Sequence, residues 1–343
     1  MTRAKIITVP VGDVDSDADD VGSSPNIVQQ ILDRPVLRIT LVLLVLIIVF
    51  TAMKPHAFAS VANATNISQD AAIAMLLAVG ATLVINTAGI DLSAGSLLVL
   101  CSVVGGKVMI ELGGQGIWVI LAGLVSCLMT GLAWGVLNGL IIAKLHAPAL
   151  IVTLGSLGAA YGVALLLTNG VDIRSVPQNL VDSVGYGKLF GQIPYLVVIA
   201  LVITAVVWLV QARTRFGLYT FMIGSNKEAC RRSGINVDRH LLKIYALSGL
   251  LAAFAGYLSL ARFATTTISG HQNDILVAIT AAVLGGTSLF GGRGSVLGTF
   301  VGVLVPVVLQ NGFVIVGVPP YWQQIAVGAI LVVAVCADPA RPK

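Results

Sequence analysis

Residues 294–337, GSVLGTFVGVLVPVVLQNGFVIVGVPPYWQQIAVGAILVVAVCA, decide the fold class of this chain. The stretch runs for 44 residues without a charged side chain. An α-helix needs about 20 apolar residues to cross the hydrocarbon core of a bilayer, so a run of this length predicts two crossings. Residues 193–212 form a second uncharged run, of 20 residues, which predicts a third crossing.

The composition of the whole chain agrees with this stretch. Hydrophobic residues make up 57% of the 343 residues and charged residues only 10%. Helices satisfy their own backbone hydrogen bonds in lipid, whereas a β-barrel would require alternating strands of about ten residues, and this sequence does not alternate. We therefore predict an all-α integral membrane protein.

Apolar runs broken by glycine, proline and charge predict about ten transmembrane helices. The predicted spans are 36–53, 70–88, 92–110, 117–143, 149–168, 193–212, 242–262, 275–290, 295–313 and 321–337. Residues 1–35, which include the acidic string DVDSDADD at 13–20, are predicted to be a disordered cytoplasmic tail. Residues 36–338 are predicted to form the transmembrane domain, and residues 339–343 a second cytoplasmic tail.

The distribution of cations predicts the orientation. With both termini in the cytoplasm, fifteen of the twenty Lys and Arg residues fall on the inner side, as the positive-inside rule requires. Seven of them lie in residues 213–243 against only two acidic residues, which gives that loop a net charge of +5. The loop has no aromatic platform, so we do not expect it to bind nucleic acid. It either touches anionic lipid as a solvated loop or docks on a cytoplasmic partner.

A short helix is predicted within that loop. Ser225 and Glu228 have the spacing of a capping box, and Gly234 suits the left-handed position just past a helix end. Between them, NKEACRRS makes about 12 Å of helix, too short to cross a membrane. Arg231 and Arg232 in the last turn favour the negative end of the helix dipole. A short capped helix between two crossings can transmit a rigid push.

Several ordered motifs carry a resemblance to the monosaccharide (ribose-type) permeases of ATP-binding cassette (ABC) transporters, in the branched-chain amino acid/monosaccharide permease superfamily. FGLYTFMIGSNKEACRRSGI is similar to the cytoplasmic coupling pattern FG followed by IGGN-x-EAA-x-x-SGI. GATLVINTAGIDLSAGS, AAVLGGTSLFGGRGSVLGTFVG and PPYWQQIAVGAILVVAV resemble three other signatures. The likeness extends over about residues 36–338. The matching positions in the coupling pattern are Phe216, Gly217, Ile223, Gly224, Asn226, Glu228, Ala229, Ser233, Gly234 and Ile235.

The resemblance implies a function and an assembly. The chain would be the permease subunit of a sugar importer in a bacterial plasma (inner) membrane. The importer would consist of two permease copies, a cytoplasmic ATPase and an extracytoplasmic sugar-binding protein. ATP and Mg²⁺ would bind to the ATPase, so that this chain carries no cofactor and no catalytic residue. The coupling residues would be Asn226, Glu228, Ala229, Arg231, Arg232, Ser233 and Gly234. The alternatives are a related permease for branched-chain amino acids or nucleosides, or an ion-coupled secondary transporter.

Polar and small residues interrupt the apolar pattern around Asp91. An ionisable group at membrane depth usually faces a cavity or a partner, and such a stretch suits a broken helix. Alternatively, Asp91 caps a helix starting near Leu92, just inside the cytoplasmic boundary, by bonding the amide of Ser93 or Ala94. The candidates for the helix break or the translocation path are Asn86, Gly89, Asp91, Ser93, Gly95, Ser96, Asn138 and Thr153. Further candidates for the path are Thr87, Ser156, Thr280, Thr287 and Gln310, each of which could equally bond a neighbouring helix.

The remaining motifs suggest structure rather than chemistry. LGGTSLFGGRGS, residues 284–295, lacks the lysine of a phosphate-binding loop and predicts a tight inner turn built on Gly285, Gly286, Gly291, Gly292 and Arg293. The four histidines have no metal-ligand spacing: His56 and His271 fall outside, and His146 and His240 near the inner surface, where His240 adds to the basic face. The four cysteines contain no CxxC pair, so neither a disulfide nor a metal site is expected.

Overall fold

The structure is a computed structural model that describes residues 35–271 and 273–336. The two predicted tails, including Arg3, Lys5, Arg34, Arg341 and Lys343, lie outside the described residues. Within the described ranges the chain is helical apart from short connections and one two-stranded antiparallel hairpin.

Fourteen α-helices and one π-helix are described. Their bounds are α1 Pro35–Met53, α2 Pro55–Phe58, α3 Val61–Asn86, α4 Ala94–Leu112, α5 Ile117–Lys144, α6 Ala149–Thr168, α7 Gln178–Leu180, the π-helix Val181–Gly185, α8 Tyr195–Arg213, α9 Arg215–Ser225, α10 Lys227–Arg232, α11 Val237–Phe263, α12 Asp274–Leu284, α13 Val296–Val316 and α14 Pro320–Cys336. The hairpin pairs β1 Lys188–Leu189 with β2 Ile193–Pro194.

Among the described residues, eight helices are long and apolar enough to cross a membrane, and α12 and α14 are shorter apolar helices. The all-helical, multi-span class is therefore confirmed. The predicted crossing 275–290 is wrong in extent, because α12 has only 11 residues, about 16 Å of helix, or roughly half the hydrocarbon core. The helix ends there because Gly285 is followed by Gly286 at φ +87°, a left-handed conformation that stops helix propagation.

Helix α3 begins nine residues before the predicted start at 70. The hydroxyl of Ser60 caps its first turn by accepting a hydrogen bond from the Asn63 amide at 3.2 Å. Further along, Asp70 forms a 2.9 Å ion pair with Arg262 near the end of α11. These polar contacts stabilise the N-terminal part of α3, residues 61–70, which hydropathy alone places outside the membrane.

Helices α3 and α11 form the centre of the bundle. Their apolar windows are 78% buried, against 11% for α1 at the periphery. Helix α5 lies close to α11 along a row of glycines, where a Cβ at Gly131 or Gly135 would overlap the α11 backbone. Glycine is required there because the two backbones are nearly in contact. The long central helices thereby fix the connections at their ends, where the candidate site lies.

Candidate functional site

The connection between α3 and α4, residues 87–93, is called the break. Within it, Asp91 Oδ1 accepts hydrogen bonds from the Ser93 amide at 3.0 Å and the Ser93 hydroxyl at 2.6 Å. Asp91 Oδ2 accepts a third bond, from the Ser248 hydroxyl of α11, at 3.0 Å. Asp91 thus bonds the Ser93 amide, as the capping alternative predicts, although α4 starts at Ala94. Its tie to Ser248, 157 residues away, was not predicted.

The break also enters the bundle rather than ending at its boundary. Ser248 lies eleven residues after the first residue of α11, a helix of 27 residues, which is about 16 Å along its axis. Asp91 is therefore level with the middle of α11. The expectation that it lies just inside the cytoplasmic boundary is wrong, because the break folds back between the long helices instead of ending at the surface.

The structure brings other predicted residues to the break. The Asn138 side-chain amide donates to the Ser93 hydroxyl at 3.0 Å, and the Thr153 hydroxyl donates to the Ile90 carbonyl at 3.1 Å. Gly89 faces the Tyr245 hydroxyl. Contacts from α5, α6 and α11 therefore meet on one short segment.

Other path candidates are accounted for differently. Gly95 and Ser96 lie in the first turn of α4, where Gly95 faces the His271 carbonyl. The Thr87 and Thr280 hydroxyls donate to carbonyls of their own helices, and Trp134 donates to Ser156 across α5 and α6. The Asn86 side chain and the Thr287 hydroxyl are buried and have no hydrogen-bond partner among the described residues. Gln310 is half-buried on α13.

The predicted docking helix exists, with a different cap. It is α10, six residues rather than eight, and its N-cap is Asn226, whose side-chain oxygen accepts from the Ala229 amide at 2.9 Å. The predicted capping box is wrong because Ser225 is still the last residue of the preceding helix and bonds back to the Phe221 carbonyl. Glu228 instead pairs with Arg232 at 3.5 Å on the exposed surface.

The end of α10 follows the prediction. Gly234 has φ +80°, and the Ile235 amide bonds the Cys230 carbonyl at 3.0 Å while the Gly234 amide bonds Arg231 at 3.1 Å. This is the Schellman arrangement. An ion pair of 3.1 Å between Arg231 and Asp238 then ties α10 to α11.

A small hydrophobic core of its own holds α10 in place. Buried Cys230 packs there with Ile223 of α9, Val237 and Leu241 of α11, and Ala143 at the end of α5. The short helix is therefore packed against the helices on either side of it.

Helix α9 was not predicted, because its residues were assigned to a loop. The Thr214 hydroxyl caps it by accepting from the Phe216 amide at 3.2 Å. A Cβ at Gly217 would overlap the Gln211 carbonyl of α8. Only glycine permits this tight turn from α8 into α9, which explains why the motif contains FG. Thr214 before an amphipathic stretch was the available signal.

A cleft separates the facing sides of α9 and α10. Its volume is about 330 Å³, and it is lined by Phe221, Met222, Ser225, Asn226, Ala229, Cys230 and Ser233. Its lining combines apolar side chains with hydroxyl and amide groups. Three of the predicted coupling residues, Asn226, Ala229 and Ser233, therefore line a concave surface.

The corner between α9 and α10, at Gly224 and Ser225, contacts both the end of α3 and the predicted glycine turn. A Cβ at Gly224 would overlap the Asn86 carbonyl and would lie 2.5 Å from the Gly292 amide, and a Cβ at Gly292 would overlap the Ser225 hydroxyl. The Gly292 amide itself donates to the Asn86 carbonyl at 3.0 Å. We call this meeting point of α3, the corner and the turn 285–295 the junction. Gly224 was part of the motif but was not among the predicted coupling residues.

The turn 285–295 has the compact form predicted. Gly291 and Gly292 have φ values of +84° and +71°, and the Ser288 amide bonds the Arg293 carbonyl at 2.9 Å. A Cβ at Gly285 would approach the α13 backbone at Gly298 to 2.5 Å. The turn is thus wedged between α12, α13 and the end of α3.

Five exposed cations surround α9 and α10 without an ion-pair partner among the residues that the structure describes. They are Arg213, Arg215, Lys227, Arg239 and Lys243. Partial burial and, second, the nearby charge of Arg231 lower the pKa of the Lys227 ammonium. Positive charge is therefore concentrated here and only partly compensated.

One histidine expectation is wrong. His240 is buried, contacts the Thr220 hydroxyl at 2.9 Å and packs on the Phe216 ring, so it adds nothing to the basic face. His271, in the connection between α11 and α12, is also buried, and bonds Ser259 of α11 at 2.7 Å and Asp274 at 2.6 Å. Both rings fill gaps between helices, which the linear sequence does not reveal.

All four cysteines are free. Within residues 35–271 and 273–336, no group of three or more His, Cys, Asp or Glu side chains is arranged to hold a metal ion.

Comparisons with known proteins place the chain in a family. Residues 63–335 match the family described as branched-chain amino acid transport system / permease component. No solved structure matches the chain.

Three relatives illustrate this family. The chain is 37% identical over 300 residues to the ribose import permease protein RbsC of Escherichia coli K12, covering 86% of this chain and 91% of that protein. It is 37% identical to the galactose/methyl galactoside import permease protein MglC of the same strain, covering 88% and 93%. The fructose import permease protein FrcC of Rhizobium meliloti is 34% identical, covering 90% and 87%. The chain, a multi-pass helical membrane protein, therefore belongs to the family of branched-chain amino acid transport system permease components.

Proposed function

We propose that this chain is the membrane-spanning permease subunit of an ABC importer for a monosaccharide, driven by a separate cytoplasmic ATPase. The single observation that carries the proposal is the backbone contact at the junction between the α9–α10 corner and Asn86. The printed names of the relatives, import permeases for ribose, galactose and fructose, support the solute class.

The junction supplies a route for motion. Helix α10 is fixed to α9, α11 and α5 through its small core, so a displacement imposed on α10 shifts the corner with it. The corner abuts the last carbonyl of α3 and the turn before α13, with no side chain between them. Close-packed contacts transmit displacement because the interior has few voids to absorb it. The end of α3 therefore moves, and the break that follows it changes shape.

The break suits a neutral, hydroxyl-rich solute. Asp91 has both carboxylate oxygens engaged by donors of the protein, so it holds the break together rather than presenting a free charge. Asn86, the residue before the break, and Thr287, in the turn 285–295, keep unused hydrogen-bonding groups among the described residues. A sugar needs a path with small residues and scattered hydrogen-bonding groups, and no buried charge.

The cleft between α9 and α10 provides a seat for the ATPase. Apolar Phe221 and Met222 line it, and Lys227, one of the uncompensated cations, directly follows its lining residue Asn226. The best-fitting partner surface is an apolar side chain flanked by carboxylates. ATP and Mg²⁺ bind to that partner, a second permease copy completes the pore, and an extracytoplasmic binding protein delivers the sugar. The location is a bacterial inner membrane with α9 and α10 in the cytoplasm.

Two alternatives differ in solute or in driving force. A permease for branched-chain amino acids or nucleosides would share the junction and is distinguished only by its solute. An ion-coupled secondary transporter would need a titratable or ion-binding group at mid-depth. Asp91 occupies that position with its oxygens already bonded, which favours the ATP-driven mechanism.

The experiment measures sugar uptake and ATPase association for variants of α10. Gly234→Pro cannot adopt φ +80° and removes the amide that bonds Arg231, so it should abolish both uptake and association while the protein still inserts. Ala229→Phe, at an exposed position that lines the cleft, should fill the cleft and weaken association. Leu218→Phe adds bulk to an exposed position of α9 outside the cleft and is the matched control. Normal uptake by the Gly234→Pro variant, or uptake without any ATPase, would refute the proposal.

A further inference from the structure

The basic surface around α9 and α10 carries positive charges that the acidic residues of the same segment do not neutralise. The two acidic residues of the segment 213–243, Glu228 and Asp238, already pair with Arg232 and Arg231. The five other cations, Arg213, Arg215, Lys227, Arg239 and Lys243, are exposed and unpaired among the described residues. This leaves five positive charges on one surface.

The same chain contains an equal and opposite charge. Residues 13–20, DVDSDADD, carry five aspartates and no cation. They lie outside the described residues. A block of like charges of this density is typical of segments that interact through electrostatics rather than through packing.

Helix packing puts the start of α1 at the end of the bundle where this surface lies. Phe50 of α1 packs against Gly312 and Phe313 of α13, with ring centroids 6.0 Å apart between Phe50 and Phe313. Phe50 comes 15 residues after the start of α1, and Phe313 comes 17 after the start of α13. Leu43 and Leu46 of α1 pack in the same cluster as Val308 and Leu309 of α13, which lie earlier in both helices. The two helices therefore run parallel and begin at about the same level. Helix α13 begins at the junction, where Gln211 of α8 caps the Val296 amide at 3.2 Å.

The chain is long enough to connect the two. Fourteen residues, 21–34, lie between Asp20 and Pro35, and a chain of this length spans up to about 50 Å when extended. A link of this length is compatible with an effective concentration in the millimolar range. The acidic block thus carries a charge opposite to that of the basic surface and is joined to the bundle on the same side as that surface. The link to α1 is long enough for the block to reach it.

From these observations we infer that the acidic block of residues 13–20 binds the basic surface around α9 and α10 of its own chain and competes there with the ATPase. This rests on the proposed function, in which the same surface is the ATPase seat. The block then acts as an intramolecular electrostatic competitor, which only a partner of higher affinity displaces.

Cross-linking of the full chain in phosphatidylcholine nanodiscs tests the contact directly. In a Cys336→Ser background, Ala18→Cys and Ser233→Cys should be joined by a bifunctional thiol reagent at low salt. The yield should fall strongly at about 1 M salt, where the Debye length is about 3 Å. Ser183→Cys, exposed at the opposite end of the bundle, replaces Ser233→Cys in the control and should not link. Linking that survives Asp→Asn replacement of all five aspartates would overturn the inference.

A second measurement asks whether the contact has a consequence. The five Asp→Asn replacements should raise the affinity for the ATPase by about fivefold or more at low salt, in the range of ordinary coupling between sites. An unchanged affinity together with absent cross-linking sinks this inference and leaves the proposed function standing. Failure of the unaltered permease to bind the ATPase sinks the proposed function instead. If anionic lipid is the occupant, phosphatidylglycerol in the nanodisc abolishes the cross-link, and the inference fails.

Discussion

Replacing Gly224 by alanine should disrupt the junction more than its single added methyl group suggests. The new Cβ would overlap the Asn86 carbonyl and lie 2.5 Å from the Gly292 amide. Both neighbours are backbone atoms, and they are bonded to each other at 3.0 Å. Neither can rotate away as a side chain would, so α3, the turn 285–295 or α9 must shift.

The size of the effect follows from these contacts. Overpacking a well-packed site costs about 1–3 kcal/mol, and weakening the Gly292–Asn86 hydrogen bond costs a further 0.5–1.5 kcal/mol or so. We expect Gly224→Ala to lower the free energy of unfolding by roughly 2–4 kcal/mol. Uptake should fall in parallel, because the corner no longer seats on the end of α3.

The assay is unfolding of the purified permease in detergent, together with uptake in cells. Gly158→Ala is the matched control, since a Cβ at Gly158 of α6 meets nothing within 4 Å. That change should be neutral or stabilise the monomer by up to about 1 kcal/mol through helix propensity. A Gly224→Ala protein as stable as the Gly158→Ala protein would refute the description of the junction as a rigid backbone contact.

Three further predictions follow from the break, the helix end and the cysteines. Asp91→Ala leaves the donors of Ser93 and Ser248 unpaired and should destabilise the protein by about 1–3 kcal/mol per donor, whereas Asp91→Asn should retain most of the stability; equal losses in unfolding assays would instead assign the role to charge. Gly234→Ala should cost about 1–2 kcal/mol of local helix stability because of its positive φ, and Gly234→Asn less, as read from the unfolding midpoint. A maleimide should label only Cys336 rapidly in the folded protein, and fast labelling of a Cys336→Ser variant would contradict the burial of the other three thiols.

The sequence predicted helices well where apolar runs are bounded by clear breakers. Helix α6 has the predicted bounds, because Pro148 precedes it and a residue in the left-handed conformation, Asn169, ends it. Helix α12 was overestimated because hydropathy counts glycine as compatible with a crossing, whereas Gly285 and Gly286 end the helix. The cap of α10 was misplaced by one residue because the preceding helix α9 was not recognised.

The candidate site was predictable in its parts but not in its arrangement. The polar residues of the break and the glycines of the turn stand out locally against an apolar background. Their meeting depends on contacts between distant segments, such as Asp91 with Ser248 and Gly292 with Asn86. Nothing in the pattern around His240 signals that its ring is buried against Phe216. Such pairings are set by how long helices cross, which a single sequence does not encode locally.

The contact at Gly224 is made of main-chain atoms. Sequence changes that alter which solute is transported can therefore leave the coupling to the ATPase unchanged. A contact between a carbonyl, an amide and an α-carbon places no demand on neighbouring side chains beyond smallness at two or three positions. The residues that line the pore can then change to suit another sugar without a change in the contacts that transmit motion from α10 to α3. Chimeras that exchange the solute-facing helices between relatives should keep their coupling to the ATPase, provided that residues 213–243 and 285–295 are kept together. This should hold whichever solute the chimera transports.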